Sequence, residues 1–243
     1  MPDRTASQTP YSPKLNNVRG ILWMLAATTS LTVMFAIIKH LATYLPVFEV
    51  AFLRTMSALL MLTPWLMRVG VDGVRTARPG LHFMRAFFGI TAFASVVIAV
   101  KDLLLADVMV LSFTSPFWSI LISALLLGEV IRARRITATV VGFAGVLLII
   151  KPQFGIQPAM LFALFSALLT SFAMISMKKL SATEPPTRIV FYFFTFGSLI
   201  MLGPALYSWE WPTWEQWGWF AVAGVLGAMG QDWLARAYDA GEV

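Results

Sequence analysis

Apolar stretches long enough to cross a bilayer recur along almost the whole chain. They fall near residues 18–38, 47–67, 82–100, 104–127, 136–151, 157–177, 189–208 and 215–235. A hydrocarbon core of about 30 Å takes roughly 20 apolar residues as helix. Within it every backbone amide and carbonyl must be satisfied inside the protein, which leaves helices and closed barrels. Runs of this length predict an all-α, polytopic bundle of eight transmembrane helices. Only 12% of the 243 residues are charged, about half the share of a soluble domain. That is too little polar surface to solvate a soluble globule of this size. The fifth run, 136–151, is the least span-like by length.

The charges that remain are distributed by side. With the N-terminus placed in the cytoplasm, the cytoplasmic gaps hold Arg4, Lys14, Arg19, Arg68, Arg75, Arg78, Arg85, Arg132, Arg134, Arg135, Lys178, Lys179, Arg188 and Arg236. The opposite gaps hold only Lys39, Lys101 and Lys151. This is the positive-inside bias, and it accounts for the net charge of +6 without nucleic acid as a partner. The gap from Tyr207 to Gln216 has no Lys or Arg but carries Trp209, Trp211 and Trp214, with Trp217 just beyond, as an interfacial belt does. Residues 1–17, polar and bearing Pro2, Pro10 and Pro13, read as a flexible cytoplasmic tail. The first apolar run is too long for the core of a signal peptide, so it reads as a permanent span.

Two pairs of segments repeat in order. FAIIKHLA at 35–42 resembles FAMISMKKLS at 172–181, and MLTPWL at 61–66 resembles MLGPAL at 201–206. A weaker third pair is LADV at 105–108 against DAGEV at 239–243. Spans one to three thus recur as spans six to eight. Five spans per unit is an odd number, so the second copy is expected to be inverted. Inverted repeats are a recurrent plan of secondary transporters, with substrate near the midplane between the halves. The expected organisation is a tail over 1–17, a five-helix repeat over 18–151 and a three-span, incomplete second repeat over 157–243. Counterparts of residues 109–151 are then expected beyond the second copy.

Arg54 in the second span, Pro116 in the fourth, Gly128 and Glu129 ending it, and Gly142-x-x-Gly145 in the fifth form a pattern. It resembles the EamA branch of the drug/metabolite transporter superfamily, most specifically in Leu-Leu-Leu-Gly-Glu followed by a basic gap and a glycine-bearing span. The resemblance covers roughly residues 18–243. It implies ten spans in two inverted five-helix halves, of which eight are visible, in a bacterial inner membrane. It also implies alternating-access transport of amino-acid-, nucleoside-, drug- or S-adenosylmethionine-like solutes, with no cofactor.

Candidate substrate-binding or gating residues are Arg54, Pro116, Trp118, Glu129, Tyr192, Gln231 and Asp232. Arg54 lies about 10 Å into its span at 1.5 Å per residue, where an arginine costs about 2.5–3.5 kcal/mol on insertion scales. Either it faces a cavity and binds a carboxylate or phosphate, or it snorkels outward or pairs with Glu49. Glu129 is a gate or proton site, or an interfacial charge beside Arg132. Asp232 is a proton-coupling carboxylate, or an ion pair with Arg236 four residues on and on the same helical face. Pro116 is expected to kink span four, with Thr114 and Ser115 helping to satisfy the freed carbonyls and Trp118 near the cavity wall. Tyr192, in the aromatic run 191–196, belongs to lipid and packing surface or reaches the cavity. Gly142, Gly145, Gly224, Gly227 and Gly230 stand at small-residue spacings that allow close helix contact.

No enzyme is expected. There is no cysteine, only His40 and His82, no H-E-x-x-H helix and no phosphate-cradling glycine loop, and no metal-ligand set. Expected partners are a small-molecule substrate and the lipid bilayer, with proton or ion coupling and a homodimer as open alternatives. The competing functional reading is a membrane scaffold or assembly component, or a non-transporting transporter fragment.

Overall fold

The computed structural model describes residues 16–127, 137, 140–142, 144, 145 and 157–240. Within them the chain is helical, with no strand. The helices are α1 (Asn17–Ala42), α2 (Val47–Met61), α3 (Thr63–Val74), α4 (Pro79–Asp102), α5 (Leu105–Ser112), α6 (Ser115–Leu127), α7 (Pro158–Ser181), α8 (Pro186–Tyr207) and α9 (Trp214–Ala240). Asn16 caps α1 by accepting a hydrogen bond from Arg19 N at 3.1 Å, while Pro79, Pro158 and Pro186 open their helices where a missing amide costs nothing.

Among the described residues five helical runs are long and apolar enough to cross a membrane, or six when α2 and the start of α3 count as one bent span. The eight-span expectation exceeds this for two reasons. Most of the run 136–151 lies outside the described residues. The other is α9, 27 residues long but carrying Glu215, Gln216, Gln231, Asp232, Arg236 and Asp239, which dilute its hydropathy.

Two runs that read as single spans are broken. The second bends by 45° between Met61 and Thr63, because Pro64 in the first turn of α3 has no amide to continue the ladder. Gly70, at φ +62°, breaks α3 again in a conformation that favours glycine. The fourth run divides into α5 and α6 at Phe113–Thr114, just ahead of Pro116. Thr114 Oγ1 donates to Leu111 O at 2.8 Å. The Ser115 carbonyl is satisfied from outside, by the Ser171 hydroxyl of α7 at 2.7 Å.

Contacts between chain ends fix an alternating path. At one end Asn16 N donates to Ala240 O at 2.5 Å, and Arg188 Nε donates to Gly73 O at 2.8 Å. At the other, Lys39 Nζ donates to Leu103 O at 2.8 Å, and Glu210 N donates to Glu49 Oε2 at 2.9 Å. The first end collects Arg19, Arg75, Arg78, Lys178, Lys179, Arg188 and Arg236, and is called here the basic end; the second carries Lys39, Lys101 and the exposed Tyr207, Trp211 and Trp214.

The two most extensive helix–helix interfaces are α1 against α9 and α4 against α7, followed by α2 against α8 and α2 against α9, with α4 against α8 next. Exchanging α1, α2 and α4 for α7, α8 and α9 turns the first interface into the second. It carries α2–α8 into itself and α2–α9 into α8–α4. Of the repeated sequence segments, 35–42 and 172–181 close α1 and α7, while 61–66 spans the α2–α3 bend and 201–206 lies in α8.

Small residues set the spacing of this arrangement. A Cβ added at Gly224 would lie 2.6 Å from Ser57 Cβ, and one at Gly230 would lie 2.7 Å from Leu31 Cγ. Helix α9 therefore meets α2 and α1 almost backbone to side chain, which in lipid substitutes packing for a hydrophobic driving force. The opposite faces are apolar too: Ile21, Leu22, Leu25 and Val33 of α1 are exposed, while Ala27, Met34, Ile38 and Leu41 are buried.

Candidate substrate cavity

Between the two exchanging helix sets lies a cavity of about 210 Å³, with walls from α1, α2, α4, α5, α7, α8 and α9. Its surface is mostly hydrocarbon, supplied by residues such as Phe35, Phe93, Phe193 and Met109. Its polar groups are Arg54, Arg85, Gln231, Ser112 and Thr170. Among the described residues, no Asp or Glu lines it.

Arg54 is buried, at 1% exposure. Gly227 makes its place: a Cβ there would come within 3.3 Å of Arg54 Nε and Nη2. Its Nε donates only to the weak acceptor Met34 Sδ, at 3.3 Å. The guanidinium carbon stands 4.6 Å from the Phe93 ring centroid and 5.5 Å from that of Phe194. Nη1 has no hydrogen-bond partner among the described residues.

Arg85, at 2% exposure, is the second buried cation. Its Nη2 donates to Gln231 Oε1 at 2.8 Å, its guanidinium carbon lies 4.4 Å from the Phe193 ring centroid, and its Nε has no partner among the described residues. Gly89, one turn on, leaves room for it: a Cβ there would fall within 2.8 Å of Phe193 and closer still to Arg85 Nη1.

Neither arginine has a carboxylate within ion-pair distance among the described residues. A guanidinium stays charged in proteins. Ring faces return about 2 kcal/mol to a desolvated cation, against several kcal/mol per ion for burial. The cavity wall therefore carries positive charge that the described side chains leave uncompensated.

Each end of the bundle has a buried carboxylate that ties one helix set to the other. At the basic end Glu184, just ahead of α8, accepts from Thr76 Oγ1 at 2.5 Å and from Arg188 Nη1 at 2.7 Å. Arg188 and the Tyr192 hydroxyl reach the carbonyls of Gly73 and Val74, at 2.8 Å and 2.6 Å. His82 stacks on Tyr192, with ring centroids 4.4 Å apart, and its Nε2 lies 3.9 Å from Glu184 Oε1. At the opposite end Glu49, early in α2, holds the α8–α9 loop through Glu210 N. The exchange that relates the helix sets carries one arrangement into the other: start of α8 on the α3–α4 loop, start of α2 on the α8–α9 loop.

A family model, described as the EamA-like transporter family, matches residues 18–151 and 157–237. The chain belongs to this family. The pseudopaline exporter CntI of Pseudomonas aeruginosa (strain UCBPP-PA14) is 32% identical over 225 residues, 90% of this chain and 78% of that protein. The S-adenosylmethionine uptake transporter of Rickettsia prowazekii (strain Madrid E) is 29% identical over 231 residues, 91% and 76% of the two chains. The riboflavin transporter of Rhizobium johnstonii is 32% identical over 232 residues, 93% and 76%. A solved crystal structure shares the fold at a TM-score of 0.66, with 19% identity over 93% of this chain and 80% of its own. The protein is thus an integral membrane transporter of the EamA-like family, and small metabolites are the solutes named for its relatives.

Placement of the sequence candidates in this EamA-like transporter is uneven. Arg54 and Gln231 share the cavity wall. Arg54 is not paired with Glu49, which is engaged at the far end of the fold. Asp232 faces away from the cavity, bonded to Arg236 Nε at 2.5 Å and to Thr187 Oγ1 at 2.9 Å. Tyr192 belongs to the Glu184 cluster. Pro116 sits at the α5–α6 break, and Trp118 meets the Phe117 ring edge to face without lining the cavity. Glu129 lies outside the described residues.

Arg85 was counted from sequence with the basic gap, and the structure corrects this. It stands six residues into α4, about 9 Å at helical rise. The available signal was Pro79: it opens α4 three residues ahead of the predicted span 82–100, which sets Arg85 nearly one turn deeper than that span implies. The Glu184 cluster carried no comparable signal, since Thr76 lies 108 residues from Glu184 in sequence and Val74 lies 118 from Tyr192.

Proposed function

We propose that the protein is a secondary transporter that moves a small metabolite by alternating access in a bacterial inner membrane, its basic end and N-terminus in the cytoplasm. The observation that carries the reading is the cavity's position. It is walled jointly by the two helix sets whose interfaces exchange under the internal repeat. A solute held there can be exposed to either side as one set rocks on the other. The positive-inside rule orients the basic end. The latches at Glu184 and Glu49 support the same reading, for they close opposite ends of the bundle and are related by the repeat. At about 210 Å³ the cavity is below the ordinary ligand-pocket range of about 300–1,000 Å³, so in this conformation it suits a compact solute.

The chain contains no cysteine, which makes the test direct. Ser112→Cys places a single thiol on the cavity wall. A membrane-impermeant thiol reagent is applied to right-side-out and to inverted vesicles, and solute flux is measured in proteoliposomes. Alternating access gives labelling from both sides, in proportions that a transported solute shifts. Labelling confined to one side under all conditions refutes the mechanism.

A further inference from the structure

We propose that the cavity selects a compact organic dianion, a dicarboxylate, through Arg54 and Arg85. The inference rests on the transporter reading and names the substrate class for its site.

Three observations carry it. First, both guanidinium groups border one cavity while buried at 1% and 2% exposure. Second, among the described residues each has an N–H without a partner, Nη1 on Arg54 and Nε on Arg85. Third, among the described residues their environments supply ring faces, a thioether and one amide oxygen, and no ionised acceptor within ion-pair distance. Two fixed positive charges in a low-dielectric wall call for two negative charges. Forked guanidinium donors match carboxylate oxygens in geometry and give the stronger, charge-assisted class of hydrogen bond. Inward-facing ionisable groups of a membrane protein commonly mark the path of substrate or ion. The intervening wall of Phe93, Phe193 and Met109 suits the hydrocarbon spacer between two acid groups. The cavity volume limits that spacer to a few carbons. Gln231 is a positioning residue: by accepting from Arg85 Nη2 it aims the remaining N–H groups without neutralising the charge.

The test uses the purified full-length chain and matched probes: succinate, glutarate and adipate, each beside its diamide, with sodium chloride at equal ionic strength. The three chain lengths sample the span between the two arginines. The readout is the ligand-dependent rise in unfolding temperature, converted to affinity by linkage. At least one diacid is expected to bind more tightly than its diamide, with each carboxylate replaced by an amide costing on the order of tenfold. Arg54→Met and Arg85→Met are each expected to abolish the preference while leaving the ligand-free protein at least as stable, because an uncompensated buried cation has been removed. A merely structural arginine gives the opposite pattern, a less stable protein that still prefers the diacid. Should either variant fail to fold, Arg54→Lys and Arg85→Lys keep the charge but lose the fork, and a weakened diacid preference is expected.

Diacids no better than diamides, or chloride as effective as the diacids, overturns the proposal. If that occurs while Ser112→Cys is still labelled from both sides, only the dianion assignment falls. If the diacid binds but labelling stays one-sided, the site stands and the transporter reading falls.

Discussion

Gly224→Ala tests whether α9 is seated as closely on α2 as the structure has it. The added Cβ would lie 2.6 Å from Ser57 Cβ, 2.8 Å from Ser57 C and 3.0 Å from Ala58 N. Favourable contact between carbons is at about 3.5–4.0 Å, so the shortfall is about 1 Å. Two of the three neighbours are backbone atoms, which cannot rotate aside, so the helices must part. Overpacking of this kind costs about 1–3 kcal/mol. For a chain of this size each kcal/mol lowers the melting temperature by about 2–4 °C, giving an expected fall of about 2–12 °C. The control is Gly218→Ala, earlier on the same helix, where an added Cβ meets nothing within 4 Å. It should be neutral, or stabilising by up to about 1 kcal/mol from helix propensity alone. Thermal unfolding of both variants in one detergent, followed by circular dichroism at the helix band, measures the difference. Equal melting temperatures would refute the close α2–α9 contact, and with it the account of how Arg54, one turn before Ala58, is held at the cavity.

Other expectations follow from the latches, the ion pair and the broken span. On the Ser112→Cys background, Glu184→Gln should raise labelling from the basic end and Glu49→Gln from the opposite end. A shift of both to one side would contradict the repeat-related latch scheme. Glu184→Gln should also cost about 1.5–3 kcal/mol by weakening the charged hydrogen bond with Arg188, visible as faster hydrogen exchange in residues 73–78. Asp232→Asn should keep solute flux within about twofold and cost about 0.3–0.5 kcal/mol, the value of a solvated i,i+4 pair, because Arg236 is 42% exposed. Abolished flux would restore Asp232 as a coupling carboxylate. Ser171→Ala removes the hydroxyl that satisfies the Ser115 carbonyl. It should cost about 1–3 kcal/mol for an unmade buried hydrogen bond, and an unchanged melting temperature would show that another group serves that carbonyl.

The membrane-spanning runs, the one-sided distribution of Lys and Arg and the close-packing glycines of α9 were legible in the sequence. Each is a local property, and lipid acts on it locally: hydropathy over about 20 residues decides whether a segment spans. The cost of burying Arg54 was likewise readable from its depth. Tertiary structure decided which polar groups meet. It took Arg85 from an apparent gap to the cavity wall, gave Gln231 to Arg85, brought Thr187 to Asp232, and set Glu49 on Glu210 across 161 residues. In a soluble helix an apolar stripe would reveal the inward face. Here α1 presents Ile21, Leu22 and Leu25 to the outside and Met34, Ile38 and Leu41 to the core. Lipid and core are alike apolar, so the pattern that marks the inside of a soluble protein is missing. Only the packing of distant helices fixes which face looks into the cavity.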